Sequence, residues 1–274
     1  AQALFGGGGR IAFVSDREDG HTLQIWTMNP DGSDLRQLTF GPTNKTQPRW
    51  SPDGTRILYV ADGGKDSFGN SYGMDIWSIN ADGSGPSNLT GSKGEDTDPA
   101  WSPDGTRIAF ASDRINGLSQ VFIMNVTCAA PPEGCQTEKP FNFSAGFAVE
   151  DSPTWSPDGA TLAVAAEIKG APKRIYLRLL KPSEGDEAKK LDLGDNVLGA
   201  DHLRWSPDGK WILFTWVQRT TNELYLVEAV SKVQSPTKLT STAGNKEGAL
   251  SPDGTWIVFP STRDQNPEIY LMPI

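Results

Sequence analysis

Short apolar runs divided by polar, glycine-rich turns recur along the whole 274-residue chain. Arg10 to Val14 opens the series, and Arg56 to Val60, Arg107 to Ala111, Thr161 to Ala165, Trp211 to Thr215 and Trp256 to Phe259 continue it. Runs of four or five such residues bounded by turn signals have the length of strands buried on both faces. Five of the six follow a common turn: Trp50-Ser51-Pro52-Asp53-Gly54, its copies Trp101 to Gly105, Trp155 to Gly159 and Trp205 to Gly209, and Leu250 to Gly254. The copies begin 51, 54, 50 and 45 residues apart, the period of a solenoid or a propeller. Proline pre-sets φ, aspartate bonds nearby backbone and glycine accepts a positive φ, so each copy predicts a strand, a tight turn and a second strand. The tryptophan before the turn predicts an anchor buried against the next unit.

A third element recurs at Gln24 to Met28, Asp75 to Ile79, Gln120 to Met124, Arg174 to Leu179, Glu223 to Val227 and Glu268 to Met272. A fourth, shorter one ends in Leu38-Thr39, Leu89-Thr90, Phe143-Ser144, Leu191-Asp192 and Leu239-Thr240. Four short strands per repeat define a propeller blade, and no amphipathic helix separates them. The expected fold is all-β, a six-bladed β-propeller of four-stranded antiparallel blades, one domain over residues 1–274. Leu4 to Arg10 aligns without a gap on Trp50 to Arg56, so Ala1 to Leu4 is read as a degenerate first strand. The sixth repeat then stops after its third strand, which exposes one outer edge but leaves the core closed.

The strings P-x-W-S-P-D-G, R-I-A-F-x-S-D, I-W-x-M-N-x-D-G and L-T resemble the repeat of TolB-like β-propellers. They are clearest in Pro48 to Asp62 with Ile76 to Thr90, and in Pro99 to Asp113 with Val121 to Asn125. The resemblance covers nearly the whole chain and is specific for fold more than for function. It implies export, a channel mouth used for protein docking, and a ring closed by pairing the two chain ends in one blade. That last feature keeps a rival register open, in which Ala1 to Phe5 supplies the missing outer strand.

A net charge of −9 disfavours nucleic acid, whose phosphates need a basic footprint. No apolar run of 18 residues is present to span a membrane. Cys128 and Cys135, the only cysteines, are read as a local disulfide, which places the chain in a periplasmic or extracellular setting. Ala1-Gln2-Ala3 fits what remains beside a processing site. Enzyme signatures are absent: no G-x-S-x-G elbow, no phosphate loop, no H-E-x-x-H, and two histidines in all.

The Ser-Pro-Asp-Gly turns share one face of the expected ring. The opposite face takes the segments 41–47, 91–98, 145–152, 195–202 and 241–247 together with 15–24, 61–75, 112–120, 166–174, 217–223 and 261–268. Their summed charge is −8 of the total −9, with only 41–47 and 166–174 positive. Irregular loops on a rigid scaffold are where binding usually sits. Asp98, Asp151, Asp201, His202 and Glu247 enter the inner strands there and converge on one channel mouth. Phe68 and Tyr72 in a glycine-rich loop, Phe147, and Trp216 at a position held by small residues in other repeats, add exposed aromatic anchors. The turn aspartates Asp53, Asp104, Asp158, Asp208 and Asp253 are read as structural, and His21 as an ordinary loop residue.

The favoured reading is an exported, monomeric, non-enzymatic scaffold docking a protein partner on the acidic face through Asp98, Asp151, Asp201, His202, Glu247, Phe68, Tyr72 and Trp216. Two other classes stay open. One is a channel-mouth hydrolase or carbohydrate-active enzyme with Asp151 and Asp201 as acid and base. The other is a sensor module of a longer chain that takes a small ligand or cation in the channel, Asp98, Asp151 and Asp201 holding Ca²⁺ through their oxygens.

Overall fold

The computed structural model describes residues 3–5, 9–64, 73–129, 133–144, 149–167, 172–180, 189–191, 193, 199–217, 221–229, 235–241, 244–245, 247–263 and 268–274, residues 3–5 by backbone alone. Phe68, Tyr72 and Phe147 lie outside the described residues. Six antiparallel sheets follow one another as the blades of a propeller. Blade 2 is representative: Lys45–Trp50 innermost, then Arg56–Asp62, Met74–Asn80 and the two-residue outer strand Ser87–Asn88. Blades 4 and 5 repeat this order from Val149–Trp155 and Gly199–Trp205. In blade 1 the inner strand is Ala3–Phe5, pairing Ile11–Ser15, as the alignment of the N-terminus predicts. Blade 6 holds three strands among the described residues, Ala249–Leu250, Trp256–Ser261 and Glu268–Pro273. Blade 3 departs from the four-stranded plan. Its third strand, Gln120–Cys128, runs on past the blade and pairs both Cys135–Thr137 and Phe141–Asn142. Cys128 stands directly opposite Cys135 in that added ribbon, and the two are disulfide-bonded.

Side chains alternate across a strand, so a blade sandwiched between two others needs both alternating sets apolar. Six clusters of buried apolar side chains among the described residues fill the six junctions between neighbouring blades. Leu58, Val60, Phe110 and Met124 join blades 2 and 3, for example, and Ile11, Phe13, Ala249 and Val258 join the first blade to the last and close the ring.

Three recurring motifs have one physical role each. In the turns, the serine hydroxyl donates to the aspartate (Ser51 Oγ to Asp53 Oδ1, 2.6 Å) and accepts from the strand after it (Arg56 N, 2.9 Å). The glycine sits at φ 69° in Gly54 and Gly105, a conformation an L side chain rarely adopts. In the Leu-Thr pairs, leucine is buried (Leu38, Leu89) or half-buried (Leu239) between blades while the threonine hydroxyl accepts an N–H of the third strand (Ile25 N to Thr39 Oγ1, 2.8 Å; Leu224 N to Thr240 Oγ1, 3.0 Å). In the Ser-x-Arg runs after the second strand, the guanidinium bonds the serine and lies over the aromatic pair of its own blade, as Arg114 does over Phe110 and Phe122 at 5.1 Å.

The tryptophans are not equivalent, contrary to the expectation of four indoles buried between blades. Trp155 is buried, with Nε1 donating to Ala100 O at 3.1 Å. Trp50, Trp101 and Trp205 are half-buried and line a cavity of about 300 Å³ in the turn-side end of the channel. The ring leaves open space at its axis, and three of the four indoles border it.

Candidate functional site

The inner strands do not run straight through the channel. In blade 2, Gln47 and Pro48 together oppose Tyr59 alone, because the register jumps between Thr46 and Arg49. The same two-against-one bulge places Asp98, Ser152 and His202 in blades 3, 4 and 5. Gln47, Asp98, Ser152, His202 and the equivalent Glu247 of blade 6 all have φ between 49° and 53°. A non-glycine residue in this region costs on the order of 1–3 kcal/mol, and the residue before a proline is ordinarily extended. Five such residues at one level make a ring held in place by the blades around it.

Neighbouring members bond across the blade junctions. Asp98 N donates to Gln47 Oε1 (2.6 Å) and Gln47 Nε2 donates back to Asp98 Oδ1 (3.1 Å). Ser152 Oγ donates to Asp201 Oδ1 (2.6 Å), which also accepts from His202 N (2.9 Å). His202 Nε2 lies 3.1 Å from Glu247 Oε1, and Glu247 N donates to Thr215 Oγ1 at 3.2 Å. Asp98, Asp151, Asp201, His202 and Glu247 thus come to one level of the channel, as the repeat alignment predicts.

The ring is not the carboxylate cluster expected from sequence. Lys173 Nζ is ion-paired with Asp151 Oδ2, and the guanidiniums of Arg49 and Arg204 lie near enough to act on the carboxylates. Among the described residues no group of three His, Cys, Asp or Glu is arranged to hold a metal ion. Asp151 Oδ2 is turned to Lys173, and Asp201 Oδ1 accepts from Ser152 and His202. Trp216 is likewise not the exposed anchor expected. It is half-buried against Tyr225 (ring centroids 4.5 Å apart) and Phe214 (6.4 Å), and its Nε1 is out of solvent.

Burial sets the electrostatics. It raises the Asp98 carboxyl above its ordinary range, helped by the charge of Asp201 and opposed by His202 and Arg49. It lifts Asp151 to about 7, again with Asp201, while Lys173 pulls the other way. For Asp201 burial is outweighed by His202, Ser152 and Lys173, so this carboxyl stays below its usual value. For His202 burial opposes the charged form, but the Glu247 hydrogen bond and the charges of Glu247, Asp201 and Asp98 carry the pKa upward. Burial and the neighbouring Arg49 bring Arg204 down to about 9.

Four contributors were invisible as single residues: Gln47, Ser152, Arg49 and Arg204. Each stands at a fixed distance before the repeat tryptophan, so aligning all repeats at that column was the signal. For Lys173 the signal was the charge of +2 on segment 166–174 amid acidic neighbours.

Fold and site together define a six-bladed β-propeller with a preorganised polar channel. Residues 148–274 match the family described as the TolB beta propeller domain. The Tol-Pal system protein TolB of Alcanivorax borkumensis is 28% identical over 152 residues, 54% of this chain and 32% of the relative. The Bacillus subtilis uncharacterized peptidase YuxL is 29% identical over 207 residues, 62% of this chain and 29% of the relative. The crystal structure of TolB from Acinetobacter baumannii superposes with a TM-score of 0.73 at 19% identity, covering 97% of this chain and 61% of that one. The chain is a six-bladed β-propeller, similar in its repeats to TolB-like proteins. It spans about a third of the length of these curated relatives. No helix among the described residues is long and apolar enough to cross a membrane.

Proposed function

We propose that the chain is a non-enzymatic, exported docking scaffold that binds a protein partner on its loop face at the channel mouth. The observation that carries this is the ring of five left-handed, cross-bonded residues, one from each of blades 2 to 6. Local strain held by a rigid frame is typical of preorganised binding sites, and preorganisation lowers the ordering cost of association. The loops around the ring hold most of the net charge, which favours a basic partner with an association rate that falls as salt rises. Likeness to a protein named for the Tol-Pal system supports a protein partner, and the disulfide supports a periplasmic or extracellular site. The test is capture from the native envelope with the parent chain and with a triple Asp98→Asn, Asp151→Asn, Asp201→Asn variant as bait. A captured partner that the variant loses, and that salt weakens, is the expected result. Capture undiminished in the variant, or lost only when the Ser-Pro-Asp-Gly turns are altered, places binding elsewhere.

One observation favours a second reading. Asp151 is raised while Asp201 is lowered, the divergence that assigns an acid and a base. On that reading the chain hydrolyses a substrate at the same mouth, and turnover of a polysaccharide or peptide library abolished by Asp151→Asn is what it requires.

A further inference from the structure

The turn-side end of the channel has a chemistry of its own. The residue before the repeat tryptophan, or before Leu250 in its place, is Arg49, Ala100, Thr154, Arg204 or Ala249, so two long cations share one level with small side chains, and a cavity of about 300 Å³ remains between them. Trp50, Trp101, Trp205 and Leu250 complete its wall. Arg49 is more than nine-tenths buried. Each guanidinium donates one bond to a backbone carbonyl beside it, Arg49 to Pro48 O at 2.8 Å and Arg204 to Leu203 O at 2.6 Å. Among the described residues neither makes an ion pair within 4.0 Å; Asp98 and Glu247 act on both, and Asp201 on Arg204, only at longer range. Buried donors around the cavity are left without acceptors: Arg49 Nε, Arg204 Nε and Nη2, and Nε1 of Trp50, Trp101 and Trp205. The equivalent indole of Trp155 finds a carbonyl, whereas Nε1 of Trp26, Trp77 and Trp216, away from the cavity, is also without an acceptor, so the guanidinium donors are what mark this site.

A buried guanidinium without a contacting counter-charge is costly, and two near each other are costlier. The protein holds them there, with Arg204 brought down to about 9 by burial and by Arg49. What the wall lacks is an acceptor carrying negative charge, and what the rings and Leu250 offer is a flat apolar surface. We propose that this cavity is a binding site for a small organic carboxylate, its charge against Arg49 and Arg204 and its apolar or aromatic body among Trp50, Trp101 and Trp205. The volume, at the low end for small-molecule sites, fits a free acid of one ring. Guanidinium is suited to this role because it grips a carboxylate bidentately and stacks on aromatic faces. The site is at the other end of the channel from the docking mouth and stands or falls without that reading.

The test uses benzoate as the charged probe and benzamide as its neutral isostere, by titration calorimetry and by the indole N–H signals of the intact chain. Benzoate should shift the signals of Trp50, Trp101 and Trp205 while leaving that of the exposed Trp256 in place, and should raise the melting temperature. Benzamide should bind at least about tenfold more weakly, since hydrogen bonds to a charged group are the stronger kind. Arg204→Gln and Arg49→Gln should each lose about tenfold or more in benzoate affinity by the same argument. Ala100→Leu, which fills the cavity and leaves both charges, should abolish binding and covers the case in which an arginine variant fails to fold. Equal binding of benzoate and benzamide, no shift of the three indoles, or undiminished benzoate binding by Ala100→Leu overturns the proposal.

Discussion

Replacing Trp155 by alanine separates the structural account of the repeat tryptophans from the one the motif suggests. Trp155 is 5% exposed and packs among Ala109, Val121, Ile123, Leu162 and Val164 at the junction of blades 3 and 4. Truncating a buried tryptophan costs about 3–5 kcal/mol in lost transfer energy and unfilled cavity. Two specific contacts go with it. The bond from Nε1 to Ala100 O contributes about 1 kcal/mol. The guanidinium of Arg107, 4.6 Å over the ring, adds about 0.5–1 kcal/mol at a partly exposed site. These overlap with the truncation cost, so the expected loss is about 4–5 kcal/mol. In a chain of this size that is a fall of roughly 10–15 °C in melting temperature. Trp205→Ala is the matched control. Its ring borders the 300 Å³ cavity and its Nε1 has no partner, so less burial is lost and the expected cost is about half as large. Urea unfolding of both variants, followed by circular dichroism with slopes compared, is the assay. Equal losses in the two, or a loss below about 2 kcal/mol for Trp155→Ala, would refute the distinction drawn from burial.

Three further outcomes follow from named contacts. Cys128→Ser with Cys135→Ser should lower stability by at most about 2.5 kcal/mol, because the bridged residues are only seven apart, and parent protein purified without reductant should show no free thiol on Ellman titration. Asp104 is held at about 2 against an ordinary 3.8, first by the Ser102 hydroxyl and then by Thr106; its contribution is therefore present above pH about 4 and lost as pH falls toward 2. Asp104→Asn should flatten that part of the stability curve measured by thermal melts from pH 2 to 6, and a curve parallel to the parent's would contradict it. Thr240→Val should cost about 1–3 kcal/mol in urea melts, since it strips an acceptor from Leu224 N and a donor from the buried Glu223.

Most of the fold is legible in the sequence because its determinants are local and repeated. A strand buried on both faces reads as an apolar run, the serine and aspartate of the turn bond within five residues, and each threonine of the Leu-Thr pairs bonds an N–H 14 or 16 residues earlier. The N-terminal register is legible for the same reason, since Leu4 to Arg10 keeps the spacing of the other copies with glycines in the turn. The extension of blade 3 is not. Cys128 to Pro140 does not follow the repeat, and the pairing of Val126, Thr127 and Cys128 with Thr137, Gln136 and Cys135 shows that the insertion forms a ribbon. The tryptophans mislead for a related reason. The motif fixes their place in the strand, but whether an indole is enclosed depends on the neighbouring blade, and only Trp155 is.

The site divides along the same line. That Asp98, Asp151, Asp201, His202 and Glu247 meet is a consequence of symmetry, and alignment of the repeats is enough to place them. What each does once there depends on partners from other blades and other columns, which no repeat alignment supplies. Asp151 faces Lys173, 22 residues away in the chain, and Asp201 accepts from Ser152, 49 residues away. The left-handed backbone of Gln47, Asp98 and Ser152 is likewise hidden, because the following proline argues for an extended residue. These departures cluster in the channel, while the turns, the blade junctions and the Leu-Thr pairs follow local rules throughout. Among the described residues, five of the six left-handed non-glycine residues lie along the axis, so most of the backbone strain is stored in one place. That concentration is the physical reason to look for both the partner at the ring and the anion beneath it.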